Sequence, residues 1–197
     1  MSPPGSSRFN TSPNDVRTPS RNQTIIAGMS VAEHKSYAPS SVGCYVLTVS
    51  DTRTTQTDTG GGAIRDLLAN SGHTVTASDI VRDDPAAVLA KVRERLEDPD
   101  THVIITTGGT GISSRDSTYE AIDGLLEKQL TGFGELFRML SFQEIGSAAM
   151  MSRATAGTVG RKAIFILPGS PDAVRLAMTR LILPELSHVV QQLRKGS

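Results

Sequence analysis

Two apolar patterns alternate along the chain. Short runs such as Cys44-Tyr45-Val46-Leu47-Thr48-Val49 and Val103-Ile104-Ile105-Thr106-Thr107 lack polar alternation, as expected of strands buried on both faces. Between them, apolar side chains recur at helical spacing, as in Ile64, Leu67 and Leu68, or Val88, Leu89, Val92 and Leu96. The pattern predicts a first strand ending at Ser50 and Asp51, then a helix capped by Asp58 or Thr59 and stopped at Gly72. A strand from His73 to Val81 follows, then a helix with Asp84 as N-cap and Pro85 in its first turn. After the 103–107 strand, Ser117-Thr118-Tyr119-Glu120 fits a capping box, opening a helix striped by Tyr119, Ile122, Leu125 and Leu126. Another helix is expected from Phe133 to about Met151. Strands Thr155–Thr158 and Lys162–Leu167 turn at Gly160, Ser170 and Pro171 open a further helix, and Pro184 to about Leu193 closes the chain. Strand and helix alternate throughout. The predicted fold is therefore α/β, a three-layer α/β/α, Rossmann-like single domain over residues 41–197 with a mainly parallel sheet.

Residues 1–40 break this picture. They are rich in Pro, Ser, Thr and Asn without any period, so they are expected to form a mobile N-terminal extension. Arg8, Arg17 and Arg21 lie there, but the prolines interrupt any amphipathic targeting helix, and Met29 fits an alternative start. The balance of 20 basic against 20 acidic side chains argues against nucleic acid or an anionic membrane as a general partner. One cysteine, Cys44, excludes an internal disulfide framework and is expected as a buried core thiol. No apolar run approaches the roughly 18 residues of a membrane span, and the expected location is cytoplasmic. His34, His73, His102 and His188 show no metal-ligand spacing, and Met139, Met150, Met151 and Met178 read as core or interface.

The chemistry concentrates where the 103–107 strand ends. Gly108, Gly109 and Gly111 allow a sharp turn that brings bare N–H groups against an anion, and a helix start follows. A P-loop is excluded because no lysine follows Gly111 in register, and a dinucleotide fingerprint because Ser114 stands where its third glycine would be. Asp116 adds a carboxylate that a simple phosphate cradle does not need, which points to a metal ion or reacting phosphate. Four loops gather at the carboxyl ends of the predicted parallel strands: Ser50-Asp51, Arg82-Asp83-Asp84, Gly108 to Asp116 and Pro168 to Asp172.

Six ordered blocks carry a resemblance. They are Thr48-Val49-Ser50-Asp51, Asp58-Thr59-Gly60-Gly61, Thr107-Gly108-Gly109-Thr110-Gly111, Arg115-Asp116, Ser152-Arg153-Ala154-x-Ala156-Gly157 and Leu167-Pro168-Gly169-Ser170-Pro171. Together they resemble the molybdopterin-binding family of molybdenum cofactor biosynthesis, and the stretch Gly132 to Gly146 looks like its MoaB branch. The resemblance covers about residues 29 to 195.

That resemblance implies transfer of AMP from ATP to the terminal phosphate of molybdopterin, with Mg²⁺ required and pyrophosphate released. Asp116 is implied as the first catalytic and metal-binding residue and Asp83 as the second, although Asp84 competes with it because Arg82 replaces the proline of the family's block. Ser50, Asp51, Gly61, Thr107, Gly108, Gly109, Thr110, Gly111, Ser114, Arg115, Glu135, Ser152, Arg153, Pro168, Gly169 and Ser170 are the implied substrate-binding residues. Each has a plainer reading, such as helix capping for Asp84, an Asx-turn for Asp116 or dipole compensation for Glu135. A homo-oligomer, trimer or hexamer, is implied, along with contacts to other cofactor-synthesis proteins. The competing expectation is a non-catalytic molybdopterin-binding or scaffold paralogue; a regulatory nucleotide binder is a remoter one.

Overall fold

A computed structural model describes residues 38–113 and 116–195. The rest of the predicted N-terminal extension, Met29 included, and the loop residues Ser114 and Arg115 lie outside the described residues. The elements in order are β1 (Gly43–Val49), α1 (Thr59–Asn70), β2 (Thr74–Val81), α2 (Pro85–Glu97), β3 (Val103–Thr107) and α3 (Thr118–Asp123). They continue with β4 (Lys128–Gln129), α4 (Thr131–Ile145), a 3-10 turn (Gly146–Met151), β5 (Thr155–Val159) and β6 (Lys162–Leu167). α5 (Pro171–Ala177), a π-helical turn (Met178–Ile182) and α6 (Leu183–Arg194) complete the chain.

The six strands form one sheet in the order β2-β1-β3-β6-β5-β4. The first four are mutually parallel, with Tyr45 opposite Ile104 and Ile104 opposite Ile164, while β5 and β4 run antiparallel at one edge. Because side chains alternate across a strand, each central strand feeds two cores. Cys44, Val46, Ile105 and Phe165 face one layer with α1 and α4 to α6; Tyr45, Leu47, Ile104 and Ile166 face the other with α2 and α3. This is the predicted three-layer α/β/α arrangement, and the expected core thiol is present: burial pushes Cys44 up to about 12. No helix among the described residues is long and apolar enough to cross a membrane.

Three local expectations need correction, and one element is new. The helix predicted to reach Met151 stops at Ile145, because Gly146 takes φ +62° and the chain tightens into the 3-10 turn. Leu125 and Leu126 lie beyond α3, which ends at Asp123; both still pack on the core layer beneath α3. The capping box does not form: Ser117 makes no side-chain cap bond, and Glu120 pairs instead with Arg153. The two-residue edge strand β4 was not predicted at all. The other caps are as read, with Asp58, Asp84 and Ser170 accepting backbone N–H bonds at their helix starts.

Candidate functional site

Since β2, β1, β3 and β6 are parallel, their carboxyl ends and the loops that follow meet along one edge of the sheet. β5 runs the other way, so its beginning, after Ser152 and Arg153, reaches the same edge opposite Ile166. The four predicted loops and the Ser152-Arg153 block are thereby brought together.

The exit of β3 is tied to the exit of β6. Thr107 Oγ1 donates to the Pro168 carbonyl at 2.8 Å, and Gly108 N–H to the Leu167 carbonyl at 3.1 Å. Gly108 holds φ +95°, and a Cβ there would collide with the Val49 carbonyl. Gly109, at φ +64°, has no room either: its Cβ would lie 2.7 Å from Thr118 Cβ and 3.0 Å from Asp83 Oδ1. The predicted N–H cradle is therefore one group smaller than expected, because Gly108 N–H is already committed. The N–H groups of Gly109, Thr110 and Gly111 have no partner among the described residues. Consecutive backbone donors of this kind are the groups with which a loop can bind an anion.

Two carboxylates flank it. Asp116 Oδ2 accepts from Ser113 N–H at 3.0 Å, while Asp116 N–H donates to Ser113 O at 3.0 Å. The expected Asx-turn, which would bond an N–H two residues further on, does not form: Asp116 reaches back three residues instead, and its Oδ1 has no partner among the described residues. The same carboxylate lies against Gly111, whose Cβ would be 2.5 Å from Oδ2. Asp83 Oδ1 accepts from the buried Thr118 hydroxyl at 2.8 Å, with Oδ2 free of partners among the described residues. Asp84 instead caps α2 through Ala86 and Ala87 N–H, at 3.4 and 3.2 Å. Of the two aspartates, geometry brings Asp83 to the glycine corner.

Arg153 stacks over Tyr119 at 4.3 Å, donates to the Gly111 carbonyl at 3.1 Å and pairs with Glu120. Desolvation works against the Glu120 charge, but the Arg153 hydrogen bond and charge hold its carboxyl below the usual range. Arg153 thus braces the loop from outside. Ser50 is also engaged, accepting from Thr52 and Arg53 N–H at 3.2 Å each, and Asp51 forms an exposed pair with Arg82 at 3.4 Å.

Gly61 is a packing residue: it is buried, its N–H donates to Asp58 Oδ1 at 2.9 Å, and a Cβ would strike Asp58 and Thr48. Gly169 abuts the corner, its Cβ position 3.3 Å from Gly108 Cα. Pro168, Ser170 and Ser152 line an adjoining cleft of about 170 Å³. Glu135 stands exposed on α4 and makes no hydrogen bond or ion pair to the corner among the described residues. Ser114 and Arg115 lie outside the described residues. A larger apolar groove of about 620 Å³, lined by Phe133, Phe165 and Leu181, lies between α4 and α6, away from all of these groups.

Three participants were not recognised in the sequence. Thr118 and Tyr119 read there only as helix positions, and Asp58 as a cap within one of the resembling blocks, with no site role of its own. Asp58 is in fact buried, accepting also from Thr48 Oγ1 at 3.0 Å and pairing with Arg65 at 3.4 Å beneath the loop after β1. The hydroxyl-rich blocks were the available signal.

Among the described residues, no three His, Cys, Asp or Glu side chains group as a metal cage. The oxygens of Asp83 and Asp116 without partners among the described residues suit a different donor set, that of Mg²⁺, which takes one or two carboxylates and fills its shell with water and substrate phosphate.

Known proteins resemble this chain over most of its length. The family described as "probable molybdopterin binding domain" matches residues 45–188. A molybdenum cofactor biosynthesis protein B of Bacillus anthracis is 52% identical over 168 residues, spanning 85% of this chain and 99% of the relative. A crystal structure of a molybdenum cofactor biosynthesis protein B superposes with TM-score 0.77 at 52% identity, covering 79% of this chain and 98% of the other. The tungsten cofactor synthesizing protein MoaB from Pyrococcus furiosus gives TM-score 0.71 at 37% identity, over 80% and 100% of the two chains. With the matching blocks meeting at one sheet edge, the chain belongs to the molybdopterin-binding family of molybdenum cofactor biosynthesis, closest to its MoaB branch.

Proposed function

We propose that the protein binds molybdopterin and adenylylates it, joining the molybdopterin terminal phosphate to the AMP of ATP with release of pyrophosphate. One observation supports this reading: among the described residues, the backbone donors of Gly109 to Gly111 have no partner, and the two carboxylates beside them each keep an oxygen without one. A purely structural turn does not need both.

The N–H groups of Gly109, Thr110 and Gly111 bind the pterin-side phosphate and orient one of its oxygens toward the α-phosphorus. Pro168 to Ser170, locked to the corner through Thr107, form the opposite wall. Thr118 and the Ser113 N–H hold Asp83 and Asp116, whose second oxygens have no partner among the described residues. Those two carboxylates are the groups that would hold Mg²⁺, which supplies charge neutralisation on the phosphates. No protein nucleophile is required, since this chemistry rests on positioning and charge stabilisation. The site accordingly contains neither histidine nor cysteine. The reading places the reaction in the cytoplasm and the chain in a homo-oligomer, with other cofactor-synthesis proteins handing on substrate and product.

The test is to incubate the purified protein with molybdopterin, ATP and Mg²⁺ and to follow pyrophosphate and the adenylylated product. Asp116→Asn is expected to reduce turnover at least about a hundredfold while molybdopterin affinity changes less than about threefold. Molybdopterin binding without turnover in the unmodified protein would favour a scaffold role. The reciprocal Ser113–Asp116 turn supports that second reading, because it gives the carboxylate a folding role independent of chemistry.

A further inference from the structure

The family resemblance implies that Arg153 binds substrate, yet its guanidinium is already engaged on three sides by protein. Nη1 donates to the Gly111 carbonyl at 3.1 Å, Nη2 pairs with Glu120 Oε1, and one face lies over the Tyr119 ring, 4.3 Å from its centroid. A guanidinium is planar, so a covered face and two engaged ends fix its position and its direction together. To reach a phosphate, Arg153 would have to give up the ring, the carboxylate and the carbonyl.

What Arg153 holds matters because of where the other ties of the loop lie. The Gly109 carbonyl accepts from Tyr119 N–H at 3.4 Å, and Ser113 is bonded to Asp116 through both its N–H and its carbonyl, at 3.0 Å each. Between these ties Thr110 is buried, but Gly111 is exposed and without a side chain, and Ile112 is 72% exposed. Among the described residues, the hydrogen bond that anchors this exposed stretch is the one from Arg153 to the Gly111 carbonyl. A glycine released from such a bond samples a wide range of backbone angles, and an arriving anion would then have to order the N–H donors itself, at a cost in affinity.

Tyr119 and Glu120 lie in the first turn of α3, and Tyr119 packs against the core layer that holds Ile104 and Ile122. The ring beneath Arg153 is therefore a fixed platform. The Glu120 carboxylate, at the other end of the guanidinium from the Gly111 carbonyl, sets its direction on that platform.

We propose that Tyr119 and Glu120 are positioning residues for the glycine corner: they act through Arg153, which holds the Gly111 carbonyl and so presents the Gly109 to Gly111 N–H groups, and Arg153 does not itself bind phosphate. The inference rests on those N–H groups binding a phosphate, as the proposed function has it, but not on adenylyl transfer.

The experiment titrates pyrophosphate into the full chain by calorimetry and measures backbone ¹⁵N order parameters of Gly109 to Gly111 without ligand, with β3 as the internal control. Tyr119→Leu removes the aromatic face and keeps apolar bulk; it is expected to weaken pyrophosphate about threefold and to lower the order parameters at 109–111 but not in β3. Tyr119→Phe keeps the face and is expected to stay within about 1.5-fold of the unmodified protein. Glu120→Gln decides the role of Arg153 by sign. A brace that loses its partner weakens binding, by about threefold, whereas a phosphate ligand released from its carboxylate would tighten it. Tighter binding in Glu120→Gln, equal losses in the two Tyr119 variants, or unchanged order at 109–111 in Tyr119→Leu would each overturn the brace. Absence of pyrophosphate binding by the unmodified protein at millimolar concentration would remove the anion corner and this inference with it. Failure of adenylyl transfer in a protein whose variants behave as expected would remove the proposed reaction alone.

Discussion

The hydroxyl of Thr118, wholly buried at the first turn of α3, donates to Asp83 Oδ1 at 2.8 Å across the glycine corner. It fixes a carboxylate from the loop after β2 against the loop after β3 and engages one of its two oxygens. Thr118→Val keeps the shape and removes the donor. The expected result is a fall in kcat of about tenfold with KM nearly unchanged, while Thr118→Ser recovers most of it. Equal losses in both variants, or a loss confined to KM, would show that Thr118 only packs.

Gly108 makes a prediction about stability. At φ +95° an L side chain is strained, and any Cβ meets the Val49 carbonyl, a backbone atom in the sheet that cannot swing aside. Gly108→Ala should lower the unfolding free energy by at least about 2 kcal/mol, read from the urea midpoint. Gly132→Ala has open space around its Cβ position and serves as the control, with an expected change below about 1 kcal/mol. If both variants unfold alike, the corner is softer than its geometry indicates.

How far the sequence revealed all this depended on the range of the interaction. Buried strands announced themselves as unbroken β-branched runs, and local caps such as Asp84 and Ser170 depend only on the next three residues. The site loops could be located because a parallel sheet sends every carboxyl end to one edge. Tertiary competition was invisible. Ser117 and Glu120 have capping-box spacing, yet Arg153, far along the chain and stacked on Tyr119, draws Glu120 away. Gly108 and Gly109 read as equivalent donors until the Leu167 carbonyl took one of them.

The solvent side of α4 and its following turn exposes more apolar surface than an isolated domain ordinarily carries. Phe142 is 62% exposed and Met150 82%, with Leu136, Met139, Ile145 and Met151 also uncovered. A second copy of the chain is the occupant this reading requires. The chain should sediment well above its 20.9 kDa monomer mass, as a trimer or hexamer. Phe142→Glu should shift it to monomer without lowering its helical content. Sedimentation of the unmodified chain as a monomer would remove the self-association.

The far end of the sheet makes a prediction about pH. His102 accepts from Gly43 N–H through Nδ1 at 3.1 Å, and Arg194 lies 2.7 Å from Nε2. Desolvation first, then the charges of Arg194 and Lys162, lower its pKa from the ordinary 6.5, with Asp98 and Asp100 opposing weakly. A proton on Nδ1 would also face the Gly43 donor. The unfolded chain therefore binds this proton before the folded chain does, so stability is intact above about pH 6.5 and falls as pH drops from there toward the lower folded-state value. His73, lowered by burial, adds a loss of the same sign. His102→Asn retains an acceptor near the Nδ1 position without a group that titrates in this range. Between pH 7.5 and 5.5 the variant should lose measurably less urea resistance than the unmodified protein, while the His73 share of the loss persists. Identical losses in the two proteins would mean that His102 is already free to take up its proton in the folded state.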